Sequence, residues 1–74
     1  MTATTTASLT LTVNGEPRRA APGETVADLV RALGLDPAKV AVERNGEIVP
    51  RSAHSDTVVE DGDQLEIVVA VGGG

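Results

Sequence analysis

The sequence predicts an α+β domain in which one main helix lies across one face of a mixed sheet of four to five strands. Two segments with apolar alternation, residues 9–13 and 64–71, predict strands near the two ends of the chain. Between them, residues 26–33 carry one apolar stripe with helical spacing. A hairpin followed by a helix and further strands is typical of layered α+β domains.

The first predicted elements form a hairpin. Leucine or valine alternates with threonine over residues 9–13, which indicates a half-buried strand. Asn14-Gly15 follows and predicts the turn, because both residue types tolerate positive φ. The return strand is predicted near residues 17–21, and Pro17 suits only its start because proline cannot donate to a strand ladder.

The helix has the clearest local signals of any element. Thr25 is the predicted N-cap, and Asp28 three residues later completes a capping-box pattern. Gly34 stands where a glycine commonly ends a helix, and Leu35 can then pack back over the last turn. The predicted buried stripe consists of Val26, Leu29, Val30 and Leu33.

The second half of the chain predicts three more strand segments. Residues 40–44 and 47–49 form a second hairpin around the turn Asn45-Gly46. A loop is expected at 50–57, a brief bridge at 58–59 and the longest strand at 64–71. We expect the first and last strands to lie side by side at the centre of the sheet. The inward side chains of the last strand are then Leu65, Ile67, Val69 and Val71.

Composition limits the classes of function. The chain has 74 residues, a formal charge of −5, no cysteine and no aromatic residue. Disulfides and thiolate sites are therefore excluded, and a cytoplasmic location is expected. Acidity disfavours nucleic acid and anionic membranes as partners and favours a basic protein surface. We expect no membrane span and no signal peptide, and we interpret residues 1–7 as a flexible leader.

Two polar segments were weighed as catalytic or metal sites. His54 stands near Ser52, Ser55 and Asp56, but no nucleophile turn of the hydrolase type surrounds them, so a polar surface loop is predicted. The segment EDGD at 60–63 lacks the ligand series and flanking helices of a calcium loop, so an acidic turn is predicted. We expect no metal site and no catalytic side chain.

The end of the sequence is the best candidate for a functional segment. Without Cβ atoms, Gly72, Gly73 and Gly74 can enter a channel that side chains would block, and three extended residues reach about 10 Å. A carboxylate on Gly74 would be ionised at neutral pH, so it could donate an acyl group only after activation. Val68 and Ala70 are predicted to point outward beside this tail, as a docking surface for a partner.

Three segments together resemble the ThiS family of sulfur carriers in thiamine biosynthesis. They are VNGEP at 13–17, VAVERNGEIVPR at 40–51 and DGDQLEIVVAVGGG at 61–74. The resemblance extends from about residue 9 to the end and implies a ubiquitin-like β-grasp fold. The predicted organisation is a leader at 1–7, a β-grasp domain at 8–71 and a flexible glycine tail at 72–74.

The resemblance also implies a carrier rather than an enzyme. Gly74 would be adenylated by a ThiF-type adenylyltransferase that uses ATP and Mg²⁺, and then converted to a thiocarboxylate. The sulfur donor would be a system such as a cysteine desulfurase, and thiazole synthase would accept the sulfur. Gly72 and Gly73 would thread into partner active sites, and Val71 would join Val68 and Ala70 in docking. The chain itself would hold no cofactor.

Three alternatives stay open on the sequence. Related carriers serve molybdopterin or amino-acid biosynthesis and also end in diglycine. A ubiquitin-like modifier would form isopeptide bonds through Gly74, although Ala70 and Val71 stand where ubiquitin-type tails carry arginine. An interaction module with an inert tail is the last alternative.

Overall fold

The structure is a computed structural model that describes residues 8–69. These residues form five strands and one α-helix, with short 3₁₀ turns at Pro37–Lys39 and Arg51–Ala53. The elements in chain order are β1 (Leu9–Val13), β2 (Glu16–Ala20), α1 (Val26–Ala32), β3 (Val40–Arg44), β4 (Glu47–Val49) and β5 (Gln64–Val69). The predicted class and element order are confirmed.

The five strands form one mixed sheet in the order β2-β1-β5-β3-β4. The first and last strands are neighbours, as the sequence predicted. They run parallel, with Val13 beside Leu65. Strand β5 is the middle strand, and β3 pairs with it in antiparallel orientation over five residue pairs. The chain therefore leaves the described domain from the centre of its sheet.

Helix α1 is short and is closed at both ends. The Thr25 side chain accepts from the Asp28 backbone N–H, and the Asp28 carboxylate accepts from the Thr25 N–H, each at 3.1 Å. At the other end Gly34 has a φ of +76°. Its N–H donates to Arg31 and the Leu35 N–H donates to Val30, which is a Schellman motif. Both predicted caps are confirmed.

The core lies between α1 and one face of the sheet and is entirely aliphatic. Leu29 is fully buried on the helix, and Leu11 and Leu65 are 1% exposed on the two central parallel strands. Leu33, predicted to be buried, ends the helix and is only partly buried against this cluster. The core members are Leu11, Ala20, Val26, Leu29, Val30, Val42, Val49, Val59, Leu65 and Ile67.

The inward pattern predicted for the last strand ends earlier than expected. Leu65 and Ile67 are buried, but Val69 is 48% exposed. Strand β1 pairs with β5 only as far as Leu65, so at Val69 the strand has β3 on one side and no β1 on the other. The expectation for Val69 was therefore wrong, and Val71 lies outside the described residues.

The loop after β4 lies at the surface, with Ser52, Ser55 and Asp56 exposed, but the His54 side chain is packed inside. His54 is 3% exposed, and its Nε2–H donates to the Val49 carbonyl at 3.1 Å. The loop carbonyls of His54 and Thr57 accept from the Ala27 and Val26 N–H groups. These N–H groups have no partner within a helix, so the loop is drawn against the first turn of α1. The predicted polar surface loop is confirmed for Ser52, Ser55 and Asp56, but His54 itself is buried and not on the surface.

The part of the chain that the structure describes contains no helix with the length and apolarity required to cross a bilayer.

Candidate functional site

Five of the six predicted site residues lie outside the described residues. These are Ala70, Val71, Gly72, Gly73 and Gly74, and their roles stay predictions. The sixth is Val68, on the strand that leads to them. The site that the structure describes is therefore β5, the groups that hold it, and the face of the sheet on which Val68 lies.

Asn14 supports β5 beyond the point where its pairing with β1 ends. The Asn14 Oδ1 accepts from the Ile67 N–H at 2.8 Å, and its Nδ2 donates to the Ile67 carbonyl at 3.1 Å. The side-chain amide thus takes the place of a strand backbone. The local sequence predicted only a turn role for Asn14.

Asn45 holds the beginning of β5 in a similar way. Its Oδ1 accepts from the Gln64 N–H at 2.8 Å, and its backbone N–H donates to the Gln64 carbonyl at 2.7 Å. The two turn asparagines, each with a φ of 53°, therefore bind the same strand, at its first and fourth residues. Their Asn-Gly turn signal is local and does not indicate this second role.

Asp63 joins the acidic turn to the sheet just before β5. It is 4% exposed, and its carboxylate accepts from Arg44 Nε at 2.8 Å, the Glu60 N–H at 2.8 Å and Asn45 Nδ2 at 3.0 Å. Burial alone would raise the pKa of Asp63, but these hydrogen bonds and the Arg44 charge outweigh it and lower the pKa from its ordinary value.

The acidic segment at 60–63 is a structural turn in which Gly62 has a positive φ of 87°. The Asp61 carboxylate accepts from the Thr10 N–H at 2.8 Å, which fastens the turn to β1. Residues 8–69 hold no group of three acidic, histidine or cysteine side chains placed to bind a metal. The carboxylates of Asp61 and Asp63 are thus engaged in holding the turn.

Val68 lies on the face of the sheet opposite to α1, which we call the outer face. Its side chain is 60% exposed, as the sequence predicted. Across the β3–β5 pair it stands beside Ala41, and Ile48 on β4 is 64% exposed on the same face. Glu43 and Glu66, which pair with each other, complete the outer face of these three strands.

The family comparison covers both the described domain and the tail. The ThiS family profile matches residues 11–74. The chain belongs to the ThiS family. The ThiS match therefore includes Val68, the rest of strand β5 and the terminal glycines within one sequence pattern.

Two curated relatives of this ThiS-family chain differ in length. A thiazole synthase from Paramagnetospirillum magneticum is 53% identical over 64 residues, which are 86% of the chain and 20% of that protein. The chain thus spans about a fifth of the length of this relative. The sulfur carrier protein ThiS of Escherichia coli K12 is 34% identical over 61 residues, which are 82% of the chain and 92% of that protein.

Solved structures identify the fold of this ThiS-family chain as the ubiquitin-like β-grasp. The crystal structure of the thiamine biosynthesis protein ThiS from Geobacter metallireducens superposes with a TM-score of 0.73 at 40% identity, covering 89% of the chain and 100% of that structure. A designed protein based on human ubiquitin superposes with a TM-score of 0.55 at 20% identity, covering 90% and 95%. The second likeness concerns the fold alone.

Proposed function

We propose that the chain is a sulfur carrier for the thiazole of thiamine, and that it is a substrate of its partner enzymes and not a catalyst. The observation that carries the proposal is the ThiS family match, which runs through Gly74. The Escherichia coli relative, similar in length, is named a sulfur carrier.

The proposed chemistry takes place at the Gly74 carboxylate. A carboxylate oxygen attacks the α-phosphorus of ATP on a ThiF-type adenylyltransferase, with Mg²⁺ bound by that enzyme, and pyrophosphate leaves. Sulfide then attacks the acyl carbon. Sulfur from a donor such as a cysteine desulfurase arrives as a persulfide, which a thiol must first reduce to sulfide while a disulfide forms. AMP leaves and a thiocarboxylate remains. Activation consumes ATP, so we propose that the reaction takes place in the cytoplasm.

The fold supports this chemistry by holding the strand before the tail. Asn45 and Asn14 bind β5 at Gln64 and Ile67, in the middle of the sheet. Gly72 and Gly73 would then carry Gly74 into a partner's active site while the domain stays outside. Val68, with Ala70 and Val71, would bind the partner surface around that entrance.

We propose thiazole synthase as the acceptor of the sulfur. In Paramagnetospirillum magneticum, a protein named thiazole synthase includes a segment that is 53% identical to the chain and matches about a fifth of its own length. Joining a carrier domain to its acceptor in one polypeptide raises the effective concentration of one for the other. This arrangement favours thiazole synthase over acceptors of the molybdopterin or amino-acid pathways.

An intact-mass measurement tests the proposal. The chain is incubated with ATP, Mg²⁺, a ThiF-type adenylyltransferase and sulfide, and we expect a mass increase equal to the replacement of one oxygen by sulfur. The chain lacking Gly74 should fold with the same melting temperature but gain no mass, because the tail follows the described core. Sulfur loading of the truncated chain, or no loading of the full chain by an enzyme active on another ThiS, would overturn the proposal.

A further inference from the structure

The outer face combines exposed apolar side chains with a pair of like charges. Ile48 and Val68 are 64% and 60% exposed, and no element of residues 8–69 covers them. Glu43 pairs with Ile48 on β4 and with Glu66 on β5, and Val68 follows Glu66 on the same face of β5. Adjacent strands are about 4.8 Å apart, so these side chains form one continuous patch.

The Glu43–Glu66 pair is unfavourable in the isolated chain. Like charges placed directly opposite each other on neighbouring strands destabilise a sheet. Among the described residues, neither glutamate takes part in an ion pair, since the ion pairs involve Asp28, Glu60 and Asp63. Residues 1–7 and 70–74 contain no lysine, arginine or histidine that could neutralise the pair.

A hollow opens beside the two glutamates. It has a volume of about 370 Å³, and Glu43, Glu66, Gln64 and Thr12 line it with polar side chains. The turn glycines Gly15 and Gly46 form part of its rim and add no side chain there. The hollow therefore offers two carboxylates, an amide and a hydroxyl to a group that approaches the face.

We infer that the outer face docks on thiazole synthase and that a basic side chain of that enzyme enters the hollow between Glu43 and Glu66. A guanidinium or ammonium group would neutralise the charge pair and donate hydrogen bonds to the two carboxylates, while Val68, Ala41 and Ile48 contact apolar groups around it. The chain's net charge of −5 adds a longer-range attraction to a basic surface. This inference rests on the proposed function, since it names the contact that its acceptor makes.

The test measures the affinity of the full chain for the thiazole synthase encoded by the same organism. The variants are Glu43→Gln, Glu66→Gln and the double variant, with Glu16→Gln as the control. Glu16 is exposed on the edge strand β2 and loses the same charge on substitution, but it lies outside the outer face.

We expect each outer-face variant to weaken binding about tenfold at low salt, and the double variant to lose much of the salt dependence of Kd. Their melting temperatures should stay equal to the original chain or rise, because a repulsion is removed. Glu16→Gln should bind thiazole synthase like the original chain, and its Gly74 should load sulfur to the same extent.

Two results would overturn the inference in distinguishable ways. If the original chain loads sulfur and binds thiazole synthase, but Glu43→Gln and Glu66→Gln bind equally well, the docking contact is wrong and the proposed function stands. If the original chain neither loads sulfur nor binds thiazole synthase, the proposed function fails and the inference fails with it.

Discussion

At the scale of single residues, the Asp63 side chain makes more hydrogen bonds than any other side chain of residues 8–69. It accepts from Arg44, Asn45 and the Glu60 backbone, which belong to β3, the following turn and the acidic turn. A carboxylate that is buried with its charge partner is costly to disturb, because the remaining groups lose their acceptor away from water. Asp63 therefore holds the start of β5 against two other segments.

Replacing Asp63 by asparagine should lower the free energy of unfolding by about 2 kcal/mol at neutral pH, because charged hydrogen bonds are lost. The pKa of Asp63 is lower in the folded chain than in the unfolded chain. Asp63 therefore contributes fully to the free energy of unfolding above its pKa in the unfolded chain, and this contribution disappears as pH falls through its pKa in the folded chain. The original chain should therefore lose stability below about pH 4, and Asp63→Asn should lose less there. Urea unfolding across pH measures both effects.

Asp56→Asn is the matched control for this experiment. Asp56 is exposed in the loop after β4, so its substitution should change stability by less than about 0.5 kcal/mol. If Asp63→Asn and Asp56→Asn gave the same urea midpoint at neutral pH, the Asp63 network would not stabilise the fold.

At the scale of elements, α1 depends on its ends and its packing. The helix has only seven residues, which is too short to be stable alone in water. Its first turn is satisfied by Thr25, Asp28 and carbonyls of the loop after β4, and its last turn by the Schellman motif at Gly34. The helix therefore forms together with the sheet that Leu29 and Val30 cover.

Gly34→Ala should destabilise the fold by about 1 kcal/mol, because an L-residue at the positive φ of Gly34 is strained. A Cβ at this position would meet no atom within 4 Å, so the cost should be conformational and not steric. D-Alanine introduced by chemical synthesis prefers positive φ and should retain the original stability. If thermal unfolding showed the same loss of stability for L-alanine and D-alanine at position 34, steric contact would be responsible.

At the scale of the whole molecule, the two faces of the sheet have separate tasks. The inner face packs on α1 and holds the aliphatic core, whereas the outer face leaves Ile48 and Val68 exposed. Strand β5 contributes to both faces and leads to the predicted tail. A substitution on β5 should therefore affect either stability or binding according to the face on which it lies.

Val68→Asp should weaken binding to thiazole synthase at least tenfold, because a charge would be desolvated in the proposed interface. The melting temperature should fall by only a few degrees, since Val68 is 60% exposed. Val58→Asp is the control, because Val58 is 47% exposed near the start of α1 and away from the outer face. Calorimetry of binding and of unfolding on both variants separates the effects, and unchanged binding by Val68→Asp would contradict the docking role.

The sequence by itself determined the elements whose signals are local. The capping box at Thr25 and Asp28, the Asn-Gly turns and the closing Gly34 each act within a few residues, so their patterns were sufficient. The alternation over residues 65–68 also assigned those side chains to the two faces of the sheet correctly, although it failed for Val69. The resemblance of three segments to the ThiS family indicated the fold that the structural comparisons show.

Only the tertiary structure decided which distant groups meet. Asn14 binds Ile67 across 53 positions, and Arg44 binds Asp63 across 19, so neither partner can be inferred from a local pattern. His54 is buried because its loop satisfies the first turn of α1, and Val69 is exposed because β1 ends before it. Glu43 and Glu66 become neighbours through strand register alone, which depends on how the whole sheet assembles.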